Sequence, residues 1–459
     1  MSSIISLMTP SQVGALTTSQ ISSLAPTDFA ALSSAQAQAL TTTQLPSISA
    51  ADVVDISTAA FAALSSSQVT ALSTQAIAAL TTSQVATLST TTLASMSTAD
   101  IAAISPKDIA SLSSAQIGAI STAGFAALSG AQIGAITTTQ VAGLSTAQLG
   151  SLGTAQVAAV STKDISSLST TQLGALAVSA LSATQVSSLT STQVGSVISS
   201  LSTGQLGALT TVQASGISTS TLSGLSTADV AALSTKIVSA LTSTQIGSIS
   251  TAGVASFTAA QIGSLSSTQV AGLSTAQLSG LGTAQIAAVS TKDISSLSTT
   301  QLGALAVTAL SATQVSSLTT TQVGSVISSL STGQLGALTT VQASALSTST
   351  LSGLSTSDVA ALSTKIVSAL TSTQIGSIST AGFASLTATQ IGSITSTQVA
   401  GISTAQLATL GTAQVAAVST KDISSLSTSQ LGALAVTALN ASQVSALTTT
   451  QVEIGRAHV

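Results

Sequence analysis

The chain has no cysteine, tryptophan or tyrosine, and its only aromatic residues are five phenylalanines in 459 positions. Without thiols there is no disulfide framework and no thiolate metal site, and the redox compartment stays open. Charge is as scarce, with seven Lys and Arg and eleven Asp and Glu, where an average soluble domain devotes about a quarter of its residues to charge. Active sites draw on histidine, acids, lysine, cysteine and tyrosine. These absences therefore argue against an enzyme, and no catalytic, cofactor-binding or metal-binding residue is expected, nor a small-molecule substrate. So few cations make no basic patch to neutralise phosphates, which argues against nucleic acid. Ser, Thr or Gln interrupts every apolar run before the roughly 18 residues that a membrane-spanning helix needs.

Hydrophobic residues nevertheless make up 44% of the chain, too many for the charged, apolar-poor class that stays disordered. Their arrangement is periodic. Residues 1–160 divide into twenty octads such as Thr9 to Leu16 (TPSQVGAL) and Thr137 to Leu144 (TTTQVAGL), with the consensus S/T-T-x-Q-Φ-x-x-L, where Φ is aliphatic. A second, 129-residue period overlies the first: Lys163, Lys292 and Lys421 recur at that interval, as do Lys236 and Lys365. Residues 161–289 and 290–418 form two superrepeat copies and 419–452 a truncated third, with 1–160 a more divergent array. Each full copy holds fourteen octads and two odd pieces: Ala177 to Leu181, read as a five-residue extension of an octad, and the twelve-residue variant Thr190 to Leu201.

Position one is almost always Ser or Thr, replaced elsewhere by Gly153, Gly282, Gly411 or Asn440, with Met1 and Ala25 as exceptions. Ser, Thr, Asn and Gly are the residues that cap a helix start. Gln three positions on completes a capping box, in which its side chain returns to the N–H of the cap. Nine of the ten Asp residues, among them Asp28, Asp52, Asp100, Asp164, Asp229 and Asp422, also take position four, where an anion suits the helix dipole. Pro10, Pro26 and Pro106 occupy position two, the first helical residue, where a missing N–H costs least. Only Pro46 departs. The aliphatics at positions eight and five have the spacing of a hydrophobic staple.

These signals predict an all-α solenoid, a superhelix of very short capped helices, one per octapeptide. One continuous helix is excluded, because eight residues at 100° each rotate the apolar stripe by about 80° per octad. Helices this short need their neighbours, which is the logic of a repeat array. A β-solenoid with Gln ladders is the alternative; it places positions five and eight on opposite faces of a strand and sets Gly and Pro at fixed phases that strands tolerate poorly.

Few candidate sites arise. The Lys-Asp pairs 107/108, 163/164, 292/293 and 421/422 could bind a ligand once per superrepeat, but they read better as first-turn acids beside solvated lysines, since adjacent helical residues do not face each other. The scattered Asp residues lack the D-x-[DN]-x-[DN]-G run of a calcium loop. A serine nucleophile needs a base, and the single histidine is His458. The stretch Gly280 to Gly282 lacks the third glycine and following lysine of a phosphate cradle. Rows of Thr and Ser could order water or ice or bind sugars, although capping accounts for most of them. Asn440 opens the sequon Asn-Ala-Ser, as a substitution at a cap.

The last seven residues, EIGRAHV, hold the only Glu (Glu453), the only Arg (Arg456) and the only His, and break off the octad that begins at Thr448. Reverse-translated as GAG ATC GGA AGA GCA CAC GTC, they resemble the opening of a short-read sequencing adapter. Residues 453–459 are therefore expected to be read-through at the end of a metagenomic fragment. No basic, apolar and cleavable leader occurs at Met1 to Met8, so export would use a carboxy-terminal signal or a start upstream of Met1.

Octads such as STAQLGSL at 145 and SSAQIGAI at 113 resemble the Ser/Thr/Ala-rich tandem repeats of very long bacterial surface proteins, the large repetitive adhesins. The resemblance covers residues 1–452 and rests on period and composition alone. It implies an extracellular or cell-surface structural role as the shaft of an adhesin stalk, filament or surface layer. Its partners would be neighbouring repeats, further copies of itself, or cell-surface and matrix material. A surface-binding module for ice, mineral or polysaccharide, built on Thr/Gln rows, and an intracellular scaffold are the alternatives. The scaffold would want exposed aromatics or arginines as hot spots.

Overall fold

Nearly every octad starts a helix where its cap places one. The computed structural model describes residues 3–452; the proposed read-through tail and His458 lie outside them. Thr9 has extended dihedrals (φ −75°, ψ 158°), its hydroxyl accepts from the Gln12 N–H, Pro10 is the first helical residue, and the helix Pro10–Gly14 follows. Pro26 and Pro106 hold the same place in Pro26–Ala30 and Pro106–Ile109. Among the described residues there are 51 α-helices of four to seven residues and seven 3-10 turns, and no strand. The molecule is an all-α solenoid. The β alternative fails because the backbone groups that a ladder would use are taken by caps and by the helices themselves.

The chain comprises two units, Met1–Thr221 with Ala232–Ile237 and Leu222–Ala231 with Val238–Val459. In the first, Pro10–Gly14 packs on Ser34–Ala39, and Gly130–Gly134 on Thr154–Ala159; in the second, Ala259–Gly263 packs on Thr283–Ala288. Each helix thus lies against the one three octads away, so three sides of eight residues make one turn of 24. Positions five and eight of nearly every side point inward, the last octads excepted, where Val444 and Val452 are exposed. Val141, Leu144, Leu149 and Leu152 are buried in the first unit, and Ile294, Leu297, Leu302 and Leu305 in the second. The staple spacing read in the sequence is therefore also the spacing of the core.

The odd pieces are sides in their own right. Ala177 to Leu181 does not extend its neighbour: it forms a separate short side around the 3-10 turn Val178–Ala180, with Val178 and Leu181 in the core. The twelve-residue piece is two sides, the helix Ser191–Val197 and the 3-10 turn Ile198–Ser200. A 3-10 turn spans a short side because it rises about 2.0 Å per residue, against 1.5 Å for an α-helix. Pro46 explains its own departure. Lacking an N–H, it stands in the 3-10 turn Leu45–Ser47, on a side without an α-helix.

Some coils approach closely enough to require glycine. A Cβ on Gly143 would lie 2.0 Å from the Ser114 carbonyl oxygen, and one on Gly118 would lie 2.3 Å from that of Gly143. Here the backbones of successive turns touch.

Candidate functional site

The recurring polar assembly lies at the corners, where one side ends and the next begins. Gln44 shows its parts. Its Oε1 accepts from the Thr41 N–H at 2.7 Å, closing the capping box. Its Nε2 donates to the carbonyl oxygens of Val13 at 3.0 Å and Leu16 at 2.6 Å, which end the side four before its own. That corner sits directly beneath, because four sides back is one turn plus one side. One amide thus serves the start of its own helix and the unpaired carbonyls ending another.

The pattern recurs along both units. Gln148 donates to Ile117 at 3.0 Å and Ile120 at 2.9 Å in the first, and Gln398 to Val367 at 2.7 Å and Leu370 at 2.6 Å in the second. The two glutamines are 1% and 2% exposed. No buried side-chain nitrogen or oxygen among the described residues lacks a partner. Short sides keep the count: Gln205 reaches Val178 and Leu181 of the five-residue side, at 2.9 and 2.8 Å.

Sequence reasoning assigned glutamine to the capping box and missed this second half. A signal for it existed. A capping box accepts Glu as readily as Gln, yet no Glu occurs at position four and the single Glu453 lies outside the repeats. Only the amide supplies a donor.

Aspartate at position four does a different job. Asp164 accepts from the Ser161 hydroxyl of its own cap at 2.5 Å and from the Thr138 hydroxyl of the preceding turn at 2.8 Å. Asp100, Asp108, Asp293 and Asp422 accept from Thr74, Thr82, Ser267 and Ser396 in the same way, at 2.6 to 2.8 Å. The shorter side chain reaches the adjacent helix rather than the corner below. Asp28 gathers the Ser3 hydroxyl at 2.7 Å and the N–H groups of Ile4 and Ala25 at 2.9 and 3.0 Å. The Ser3 hydroxyl, aided by the backbone donors and opposed by burial, holds its carboxyl below the usual aspartate range.

The remaining candidates fall into place beside these. Lys107, Lys163, Lys292 and Lys421 are exposed while their neighbouring aspartates are buried, so the pairs do not share a surface. The superrepeat has 17 sides: fourteen octads, one five-residue side, and two from the twelve-residue piece. Since 17 is not a multiple of three, Lys292 and Lys421 of the second unit lie on different sides and form no row. No three Asp, Glu, His or Cys side chains among the described residues gather as metal ligands. Gly280 ends the helix Thr275–Ser279, and Gly282 caps the next with its N–H 2.7 Å from Gln285 Oε1. Asn440 Oδ1 accepts from the Gln443 N–H at 3.0 Å, a cap like the serines. Thr18, Thr42, Ser66, Thr90, Ser114 and Thr138 recur once per turn on one side of the first unit. Two of those hydroxyls are engaged, Ser66 with Thr92 and Thr138 with Asp164.

Two equivalent enclosed spaces are small and apolar. A cavity of about 20 Å³ lies against Phe383, Val399 and Leu434, and its counterpart two superrepeat periods earlier lies against Phe125, Val141 and Leu176; each has room for about one water. No helix among the described residues is long and apolar enough to cross a membrane.

Eight stretches match the model of the ALTTAQ repeat: 46–82, 77–114, 101–138, 109–146, 131–162, 141–178, 270–307 and 399–436. The last three share one phase of the 129-residue period. The six letters of the name describe the corner, as in Ala39 to Gln44 (ALTTTQ): a helix end, a core leucine, the cap, two first-turn residues and the bridging glutamine. No curated protein matches the chain. The chain is thus a tandem-repeat protein whose ordered polar groups are largely those of its own scaffold.

Proposed function

We propose that this chain is a non-enzymatic structural shaft of a large extracellular or cell-surface protein, an adhesin stalk, filament or surface layer. The observation that carries the reading is the corner. Position-one hydroxyls and position-four amides are spent on joining sides and turns, at Gln44, Gln148, Gln205 and Gln398 alike. A scaffold that closes the same bonds at each turn can be lengthened without redesign, because stability in such an array is a sum of nearest-neighbour terms. Extent is what it offers, and its partners are other repeats, further copies of itself, and surface or matrix material.

Scarce charge and absent thiols suit a molecule whose work is mechanical rather than chemical. An antibody against residues 290–418 tests the location: it should label intact source cells or the material they shed. Labelling that requires permeabilised cells would leave an intracellular scaffold as the better reading. Electron microscopy of proteins carrying one, two or three superrepeats tests the shaft, whose end-to-end distance should grow by a constant step per copy.

A further inference from the structure

We propose that residues 347–370 are a built-in yield point, a turn whose junction opens before those of the glutamine-bridged turns around it. From the side of Gln245 onward, any three successive sides of that unit include a position-four glutamine, with one exception. Sides 347–354, 355–362 and 363–370 carry Thr350, Asp358 and Ile366 there. All three corners of one complete turn consequently lack the amide that would hold the corner beneath.

No other side chain replaces it. Thr350 bonds to the Ser347 hydroxyl at 2.7 Å and Asp358 accepts from the Ser355 hydroxyl at 2.7 Å, both within their own sides, and Ile366 offers no polar group. No side-chain hydrogen bond among the described residues joins 347–370 to the turn before. Thr332 stands to Asp358 in sequence as Thr74 stands to Asp100, yet makes no bond to it. The first unit shows the contrast. At the same phase, Thr92, Asp100 and Asp108 are bridged by the hydroxyls of Ser66, Thr74 and Thr82 at 3.0, 2.8 and 2.7 Å. In the second unit the core residues Leu351, Val359 and Val367 are left to hold the junction, while the next turn grips this one through Gln390 to Ala360 at 3.0 Å and Ser385 to Thr356 at 2.9 Å.

A junction without hydrogen bonds between turns separates at lower free energy than its bridged neighbours. Under tension or mild denaturant it therefore opens before the bridged turns, and recloses without side chains having to find polar partners. The inference rests on corner geometry and stands or falls independently of where the protein resides.

The absence of cysteine supplies a clean test. Val359→Cys and Val415→Cys, both at fully buried valines, are made separately in the full chain, and reaction with an aromatic disulfide reagent is timed under native conditions. Val359→Cys should react at least about tenfold faster. Adding Thr350→Gln and Asp358→Gln, which restore the consensus, should slow labelling at Val359→Cys several-fold and leave Val415→Cys unchanged. Equal rates at the two thiols, or a Val359→Cys rate indifferent to the restored glutamines, would overturn the proposal.

Discussion

The amide nitrogen of Gln148 is an atom whose loss the scaffold should feel. Gln148→Glu keeps the acceptor for the Ser145 N–H and loses the donations to Ile117 and Ile120 and the longer one to Gly118. It sets a carboxylate against two carbonyl oxygens at a buried site, at a cost of about 2 to 3 kcal/mol at neutral pH. Burial raises the pKa of the new carboxyl in the folded state. The penalty is then full above that raised value and recedes as pH falls towards the unfolded glutamate value near 4.3. Denaturation midpoints at pH 7 and pH 4 check both sign and size. Asp28 behaves oppositely. Its folded pKa is depressed, so the stability it contributes is present above the unfolded value of 3.8 and is lost as pH falls through the folded value. Amides of the segment it holds, Leu7 and Met8, should lose exchange protection in acid, and Asp28→Ala should show the same loss at pH 7.

At the level of the element, the helices are too short to persist alone, and caps and close approach decide their fate. Replacing Ser145, Ser169 and Thr190 with alanine together should cost about 1 kcal/mol per site, adding nearly linearly, as read from chemical melts; an unchanged melt would refute the cap assignment. Glycines separate into two kinds. Gly143→Ala drives a methyl into the Ser114 carbonyl at 2.0 Å and should destabilise by about 1 to 3 kcal/mol. Gly174, inside the helix Thr170–Ala175 with nothing within 4 Å of an added methyl, should gain about 0.5 to 1 kcal/mol as alanine. The chain contains its own precedent. Ala345 stands one superrepeat period after Gly216, and a Cβ on Gly324, the counterpart of Gly195, would meet nothing within 4 Å, where one on Gly195 would lie 2.8 Å from the Gly216 carbonyl oxygen. Where the alanine stands, the facing glycine has room for a methyl as well.

For the whole molecule the unit of editing is the turn. Deleting residues 129–152, three complete octads, removes one turn and leaves every later corner above a corner. Helical signal per residue in circular dichroism should be unchanged, with stability lowered by about one interface. Deleting 129–140 cuts an octad in half, brings a cap over a helix middle, and should lower cooperativity out of proportion to its length. Superrepeats tolerate neither side rows nor face-specific chemistry, because 17 sides advance each copy by two sides relative to a three-sided turn. Any ligand reading one residue per superrepeat would have to follow that rotation.

Much of this was legible in the sequence because the signals are local. Ser145 and Gln148 lie three residues apart, Pro106 occupies a first helical position, and the leucines recur by eight; cap chemistry and helix register are fixed within one octad, so composition and spacing were enough for fold class and helix starts. The other half of Gln148 was hidden. Its carbonyl partners lie 28 and 31 residues away, a separation that depends on how many sides close a turn, and no local propensity sets that number. Packing of the two apolar positions into a shared core decided that three sides make a turn. That choice made Ala177 to Leu181 a side rather than an extension, turned aspartates into ties between helices, and left the turn 347–370 without a side-chain bridge to the turn before.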